Sequence, residues 1–181
     1  DDPERALVSM GIYVFSQTLL CQSLKDDHGS NRSSHDFGKD IIPNLIQEKR
    51  VFAYQFGGTT GRVSPDRYWR DVGTIDAYYE SNMDLLKPVP PLNLYQEDWR
   101  IRTYSGQYPP ARTVPGESGT KSNVVNSILA SGAIISGGSV HRSILFASVH
   151  VDEGARVDDS ILFDGVRVGK GAWLNRCILD K

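Results

Sequence analysis

The 181-residue chain has little of several features that would point to particular protein classes. Its two cysteines, Cys21 and Cys177, lie far apart in sequence, which excludes a disulfide framework and favours a reducing, cytoplasmic location. The net charge of −2 excludes a broad basic surface for nucleic acid. No apolar run approaches the roughly 20 residues that a membrane-spanning helix needs, and no signal peptide is visible. We therefore expect a cytoplasmic protein with neither a nucleic-acid nor a membrane partner.

The most informative feature that the sequence does contain is an internal repeat. The motif Ser-Ile-Leu occurs at 127–129, 143–145 and 160–162, and Cys-Ile-Leu follows at 177–179, with spacings of 16, 17 and 17 residues. Apolar residues recur between them every five or six positions, and glycine recurs at 137, 154 and 171. The predicted inward-facing residues are Leu129, Ile134, Val140, Leu145, Val151, Val157, Leu162, Val168, Leu174 and Leu179.

This period predicts a β-solenoid of triangular coils, because a self-similar unit of this length buries its apolar face only against its neighbours. Each side is a short strand with one inward aliphatic side chain, and a small residue turns the corner with a positive φ. We expect about three coils over residues 123–181, with the last coil incomplete. Because the chain begins at Asp1 without methionine and its repeat stops at Lys181, we also expect a piece of a longer protein.

The first half of the chain alternates between strand and helix patterns, which predicts part of an α/β layer over residues 1–87. Strands are predicted at Leu7–Phe15 and Val51–Phe56. Helices are predicted from Ser16 to about Lys25, over Asp40–Arg50, and from Thr74 to Leu86. Six of the nine prolines fall between 88 and 115, so residues 88–122 are predicted to form a linker.

Polar and aromatic residues cluster beside these predicted elements at 9–15, 34–40 and 68–74, where open α/β sheets bind ligands. Asp71 could offer oxygen ligands to Mg²⁺, but it could equally form an ion pair with Arg70 or cap a helix. Trp69 could stack on a sugar or belong to the core. Asp36 could bind sugar hydroxyls or cap the next helix, and Ser9 and Tyr13 share one face of the predicted strand.

These three clusters, in this order, are followed by a proline-rich linker and a six-residue solenoid. Together with the linker residues 99–104 and 109–111, they closely resemble bacterial glucose-1-phosphate adenylyltransferase, also called ADP-glucose pyrophosphorylase, from about residue 7 to residue 181. The resemblance implies a partial Rossmann-like nucleotidyltransferase α/β layer followed by a left-handed parallel β-helix of hexapeptide-type repeats. It also implies adenylyl transfer from ATP to glucose 1-phosphate, with Mg²⁺, for glycogen biosynthesis.

The resemblance assigns roles to individual residues. Asp71 matches a Mg²⁺-binding aspartate, and Lys181 matches a basic position of an allosteric anion site, although an ordinary surface lysine is the alternative there. No catalytic residue is assigned to this chain, because the family's glycine-rich nucleotide loop, second metal aspartate and phosphate-binding lysine lie upstream. We therefore expect the chain alone to be inactive. The residues that match the sugar-phosphate pocket are Ser9, Tyr13, Asp36, Phe37 and Trp69.

The family assembles as a homotetramer and responds to sugar-phosphate and nucleotide effectors, so similar partners are expected here. One departure from the family is Arg100, where proline is usual. Three alternatives stay open: a non-catalytic regulatory or assembly subunit of the same family, a pyrophosphorylase for another base or sugar, and a solenoid acyltransferase. The last would use His141 or His150 as a base, whereas both could simply be outward-facing polar residues.

Overall fold

The computed structural model describes residues 8–54, 56, 68–95, 97, 100, 102, 104 and 106–181. The chain divides into two compact units, residues 1–55 and 56–181. Within the described ranges, no helix is long and apolar enough to cross a membrane.

The first unit is helical where it is regular. Its elements are α1 (Gln17–His28), one π-helical turn (Phe37–Ile41) and α2 (Ile42–Glu48). The two predicted helices are confirmed, and Pro43 lies in the first turn of α2, where its missing N–H costs no hydrogen bond. Helix α1 extends to His28 rather than Lys25. Ser16 occupies its N-cap position but makes no capping hydrogen bond with its side chain.

The two strands predicted in the first unit are wrong for the residues that the structure describes. Residues 8–15 and 51–54 form no strand, and the side chains of Ile12 and Val14 are 77% and 98% exposed. A parallel strand needs a neighbour to satisfy its N–H and C=O groups, and that neighbour comes from a distant part of the chain. The described part of this unit contains no such neighbour, so an apolar pattern typical of strands remains irregular.

The second unit begins, in its described part, with the segment that leads into α3 (Ile75–Met83) and a 3₁₀ turn (Asp84–Leu86). The predicted helix is confirmed here. Thr74 is its N-cap, with Oγ1 accepting a hydrogen bond from the backbone N–H of Ala77 at 3.2 Å. Residues 57–67 and the linker residues Trp99, Ile101 and Thr103 lie outside the described residues.

The repeat region forms the predicted solenoid of about three coils, with three sheets of four parallel strands each. The first sheet contains β1 (Arg112–Val114), β4 (Ile134–Ser136), β7 (His150–Val151) and β10 (Arg167–Val168). The second contains β2 (Asn123–Val125), β5 (Ser139–His141), β8 (Arg156–Asp158) and β11 (Trp173–Asn175). The third contains β3 (Ile128–Leu129), β6 (Ile144–Leu145), β9 (Ile161–Leu162) and β12 (Ile178–Leu179).

Strand β1 lies within the segment predicted as linker, ahead of the expected solenoid start at residue 123, and pairs in parallel with β4. The repeat period did not indicate it, because the stretch between Val114 and Asn123 is longer than the other corners. The domain boundaries 1–87, 88–122 and 123–181 otherwise stay a prediction.

The solenoid core consists of one aliphatic side chain from each strand, stacked on its equivalents in the next coils. Val140, Leu145, Val151, Val157 and Leu162 are fully buried, as the repeat predicts. One assignment is wrong. Ile135, not Ile134, is buried at 0% exposure, because Ile135 is in register with the inward Val151 whereas Ile134 is in register with His150.

The corners explain both the glycine spacing and the Ser-Ile-Leu motif. Gly137, Gly154 and Gly171 have φ values of 69°, 71° and 70°, as predicted. At another corner each motif serine links two coils. Ser143 Oγ donates to the carbonyl of His141 at 2.7 Å and accepts from the N–H of Ser160 at 3.1 Å. Because Ser143 and Ser160 are fully buried, this ladder satisfies backbone groups that water cannot reach.

Candidate functional site

The structure brings four of the predicted site residues together in the first unit. Ser9 Oγ and the Tyr13 hydroxyl are 3.0 Å apart and share a hydrogen bond. The ring of Tyr13 stacks on that of Phe37, with centroids 5.9 Å apart and planes inclined by 19°. Phe15 completes the aromatic cluster at 6.0 Å from Phe37. The contacts therefore form without the strand that was expected to align Ser9 with Tyr13.

Asp36 joins this cluster through its neighbour Phe37. It is the N-cap of the π-helical turn, and its Oδ1 accepts hydrogen bonds from the N–H groups of Gly38 and Lys39, both at 2.8 Å. The capping role is thus confirmed. Within the described part of the chain, Oδ2 of this exposed carboxylate has no hydrogen-bond partner. That oxygen remains able to accept hydrogen bonds from the hydroxyl groups of a ligand.

Trp69 and Asp71 lie in the second unit, in the segment that precedes α3. The Trp69 side chain is 46% exposed, so it is not a core residue. Asp71 is exposed, and its Oδ1 accepts a hydrogen bond from the N–H of Gly73 at 3.1 Å. This Asx turn directs the chain toward the cap at Thr74.

Both structural alternatives for Asp71 are contradicted. Arg70 turns away from it and donates from its guanidinium to Oδ2 of Asp84, at 3.2 Å and 2.9 Å. The capping residue of α3 is Thr74. The exposed carboxylate of Asp71 is therefore not used as an ion-pair partner of Arg70 or as the helix cap.

The brace that holds Arg70 was missed by sequence reasoning. Asp84 is only 6% exposed, and its Oδ1 also contacts the ammonium group of Lys87 at 2.5 Å. Burial raises the pKa of Asp84, but the hydrogen bonds from Lys87 and Arg70 outweigh burial and hold that pKa below its ordinary value. The i, i+3 spacing of Asp84 and Lys87 could have indicated their ion pair from the sequence. No sequence pattern indicated the contact between Asp84 and the distant Arg70.

Helix α3 also contacts the solenoid within this unit. The Tyr79 hydroxyl donates to the backbone carbonyl of Asp159 at 2.6 Å, and the rings of Tyr78 and Phe163 meet edge to face at 6.3 Å. Burial raises the pKa of Tyr79. A groove of about 620 Å³ runs between the start of the helix and the solenoid, with Thr74 and Arg176 among its lining residues. The segment that carries Asp71 is thus attached to the repeat scaffold.

The described residues offer few side chains that could bind a metal ion together. Among them, no group of three or more histidine, cysteine, aspartate or glutamate side chains is arranged to hold an ion. Mg²⁺, however, usually takes one or two carboxylates, several waters and the phosphates of a substrate. The exposed carboxylate of Asp71 could therefore be the single protein ligand of such a site.

The two solenoid histidines are engaged by neighbouring residues. His141 Nδ1 contacts Asp158 Oδ1 at 3.1 Å, and its Nε2 lies 3.1 Å from the side-chain amide of Asn123. His150 Nδ1 contacts the carbonyl of Ser148 at 3.2 Å. These contacts match the outward-facing structural role rather than that of a free base. Lys181 is exposed, and its assignment to an anion site stays a prediction.

Comparison with known proteins follows the same division of the chain. Residues 1–88 match the family model "Nucleotidyl transferase", and residues 109–181 match "GlmU-like, C-terminal hexapeptide". The protein named glucose-1-phosphate adenylyltransferase 2 from Vibrio vulnificus strain CMCP6 is 62% identical over 149 residues, which are 82% of this chain and 37% of that protein. The Vibrio cholerae protein of the same name is 55% identical over 179 residues, 99% of this chain and 44% of its own length.

The resemblance to glucose-1-phosphate adenylyltransferases is confirmed. A glucose-1-phosphate adenylyltransferase from Dechloromonas aromatica extends it, at 48% identity over 180 residues, 99% of this chain and 41% of that protein. The fold is accordingly part of a nucleotidyl transferase domain joined to a hexapeptide-repeat solenoid. The chain spans about two fifths of the length of these adenylyltransferases.

Proposed function

We propose that this chain supplies the sugar-phosphate side of a glucose-1-phosphate adenylyltransferase, which transfers the adenylyl group of ATP to glucose 1-phosphate. The products are ADP-glucose and pyrophosphate, and the pathway served is glycogen biosynthesis. The observation that carries the proposal is the exposed carboxylate of Asp71, with which Arg70 does not pair because it binds Asp84 instead.

In this proposal the residues of the chain bind and orient the acceptor. The second oxygen of Asp36 accepts hydrogen bonds from sugar hydroxyls, and Ser9 and Tyr13 offer hydroxyl groups beside the ring of Phe37. Trp69 offers an exposed indole face on which a sugar can stack. Such positioning is most of what a protein contributes to phosphoryl-type transfer, because the transition state mainly requires alignment and neutralisation of charge.

Asp71 would provide one carboxylate ligand to a divalent cation, which we propose to be Mg²⁺. When bound, such an ion offsets the negative charge that accumulates as two phosphate groups approach. Nucleotidyl transfer enzymes generally depend on a divalent metal ion. What we propose for this chain in particular is that the ion is Mg²⁺.

The proposed function also includes assembly and regulation. We propose that the solenoid supports a homotetramer in the cytoplasm and that sugar-phosphate or nucleotide effectors bind beside it, with Lys181 as one contact for an anion. The exposed position of Lys181 supports this assignment. The choice of adenine rests on the names of the relatives, since the residues proposed for this chain would bind the sugar phosphate and not the base.

A hybrid enzyme tests the proposal. The matched segment of the Vibrio cholerae relative, 44% of that protein, is replaced by this chain, and pyrophosphate release is measured with ATP and glucose 1-phosphate. We expect release that requires both substrates and a divalent cation, while the isolated 181-residue chain releases none. A hybrid that folds and assembles like its parent but forms no ADP-glucose would contradict the proposal, as would an active isolated chain.

A further inference from the structure

A short turn between α1 and the π-helical turn carries Asp36 into the candidate site. Its conformation depends on Asp40, which lies one turn further along. Oδ2 of Asp40 accepts three hydrogen bonds: from the N–H of Ser34 at 3.1 Å, from the hydroxyl of Ser34 at 2.6 Å and from the N–H of Asp36 at 3.1 Å. A single carboxylate oxygen therefore holds both ends of the segment that leads into the site.

Asp36 and Asp40 hold each other reciprocally. Oδ1 of Asp36 accepts from the first N–H groups of the π-helical turn, while its own N–H donates to Asp40 and its carbonyl accepts from the N–H of Asp40 at 2.9 Å. This arrangement resembles a capping box, in which a cap residue and a residue in the first turn satisfy each other's backbone groups. Because both ends are fixed, Asp36 Oδ1 is committed to the backbone.

The turn itself contains a conformation that needs support. His35 has a φ of 59°, a left-handed conformation that is costly for a residue other than glycine. Asp27 at the end of α1 holds this residue from the opposite side, since its Oδ2 lies 2.8 Å from Nδ1 of His35 and its Oδ1 accepts from Ser33 Oγ at 2.5 Å. Asp27 and Asp40 thus fix the turn from both flanks.

We propose that Asp40 is a positioning residue for the sugar-phosphate site, which acts by fixing the orientation of Asp36 and the placement of Phe37. This inference rests on the proposed function. The connection runs from Asp40 through the cap at Asp36 to Phe37, whose ring stacks on Tyr13, and from there to Ser9. Asp40 itself contacts the backbone and side chain of the turn.

The charge state of Asp40 agrees with this role. The hydroxyl of Ser34 and the backbone N–H of Asp36 hold the pKa of Asp40 below its ordinary value, so the carboxylate stays ionised at neutral pH. Hydrogen bonds to an ionised acceptor are shorter and stronger than neutral ones, and they hold their donors in a defined direction.

The first test uses the full 181-residue chain and nuclear magnetic resonance. In Asp40→Ala we expect faster exchange of the Gly38 and Lys39 amide protons and weaker proton contacts between the Tyr13 and Phe37 rings. Asp40→Asn keeps an acceptor oxygen and should restore both signals. Asp26→Ala is the matched control, because this neighbouring exposed carboxylate accepts only from Gln22 at 2.7 Å among the described residues.

Unchanged amide exchange and ring contacts in Asp40→Ala would overturn the inference. If that variant loses its fold, Ser34→Ala decides instead, because it removes one donor and leaves the carboxylate in place. We expect a smaller change in the same signals, and no change would again overturn the inference.

The second test uses the hybrid enzyme and separates this inference from the proposed function. We expect Asp40→Ala to raise KM for glucose 1-phosphate by about 10-fold or more without raising KM for ATP, because a displaced binding group weakens only its own ligand. Asp36→Ala should do the same. If Asp36→Ala leaves KM unchanged, the proposed site is wrong; if only Asp40→Ala leaves it unchanged, the positioning role is wrong.

Discussion

The solenoid and residues 8–54 place their apolar side chains in opposite ways. In the solenoid, Leu145 and Leu162 are fully buried, each against its equivalent in the next coil. In residues 8–54, Val14 is 98% exposed and the buried hydrophobic residues are confined to the α2 region, at Ile41 and Leu45. The sequences are similarly apolar, so composition does not explain the contrast.

Distance along the chain explains it. Apart from β1, each solenoid strand pairs with a strand 16 or 17 residues away in the sequence, so each coil completes the one before it. A strand in a parallel α/β sheet needs a partner brought back by a long crossover connection. The candidate site residues lie in residues 8–54, where strands were predicted without a partner, and in the turn before α3. The solenoid provides a surface to which α3 is attached. This division of roles can be tested by substitution.

The largest expected effect is a loss of catalytic rate with no loss of folding stability. Asp71→Asn in the hybrid enzyme should lower kcat about 10³-fold, equivalent to about 4 kcal/mol of barrier, because an amide is a poor ligand for a hard cation. The side chain is exposed, so the urea midpoint should not move. Steady-state kinetics at several Mg²⁺ concentrations provide the measurement. Asp76→Asn, an exposed carboxylate in the first turn of α3, is the control, and an equal loss there would remove the special role of Asp71.

The next effect is a loss of folding stability at a solenoid core residue that has no proposed role in the reaction. Leu145→Ala should lower the free energy of unfolding by about 2–5 kcal/mol, because it opens a cavity in a core that has no exposed surface at this position. Val14→Ala, at 98% exposure, should change it by less than about 0.5 kcal/mol. Urea unfolding of the 181-residue chain, followed by circular dichroism, compares the two. Similar values for both would mean that the contrast in burial has no energetic consequence.

The same contrast decides what could be predicted from sequence. The solenoid, its glycine corners and most of its core followed from the repeat, since every interaction there is with the next coil. The exception, Ile135 in place of Ile134, is a shift of one residue, which the repeat spacing is too coarse to resolve. Helix α3 followed from local signals, with Thr74 at its start. The strand predictions failed because local pattern does not supply a partner.

The candidate site shows a similar limit. Sequence patterns and resemblance selected Asp36 and Asp71, and the cap at Asp36 was an explicit alternative. They did not select Asp84 or Asp40, because Asp84 acts through a contact with the distant Arg70 and Asp40 through contacts across a turn. Whether Asp71 pairs with its neighbour Arg70 could be answered only by the position of Asp84, 14 residues from Arg70.

A smaller effect tests where the scaffold ends. Gly137→Ala should be more destabilising than Gly171→Ala, although both residues have nearly the same φ, 69° and 70°. A methyl group at Gly137 would lie 2.8 Å from the Cα of Gly116, whereas nothing lies within 4 Å at Gly171. We expect about 1 kcal/mol for the conformational strain in both, and about 1–3 kcal/mol more at Gly137 from overpacking.

Thermal and urea unfolding of the two variants measure this difference. Equal destabilisation would show that the segment around Gly116, which lies in the predicted linker, is not held against the solenoid corner. A larger loss at Gly137 would support including that segment in the scaffold.

The smallest effect concerns Asp84, which stabilises its region through charged hydrogen bonds, whereas Leu145 stabilises the solenoid through apolar burial. Asp84 has a lowered pKa in the folded state, so its contribution to stability is complete above its unfolded pKa of about 4 and is lost as the pH falls through the lower folded value. Asp84→Asn should therefore cost about 1.5 kcal/mol at pH 7, the lower end of the range for hydrogen bonds to charged groups, and much less at a pH below the folded pKa of Asp84. Leu145→Ala, whose effect is apolar, should cost the same at both pH values. Urea unfolding of both variants at the two pH values tests this prediction. A pH-independent cost for Asp84→Asn would mean that its side-chain packing, rather than its charge, holds Arg70 away from Asp71.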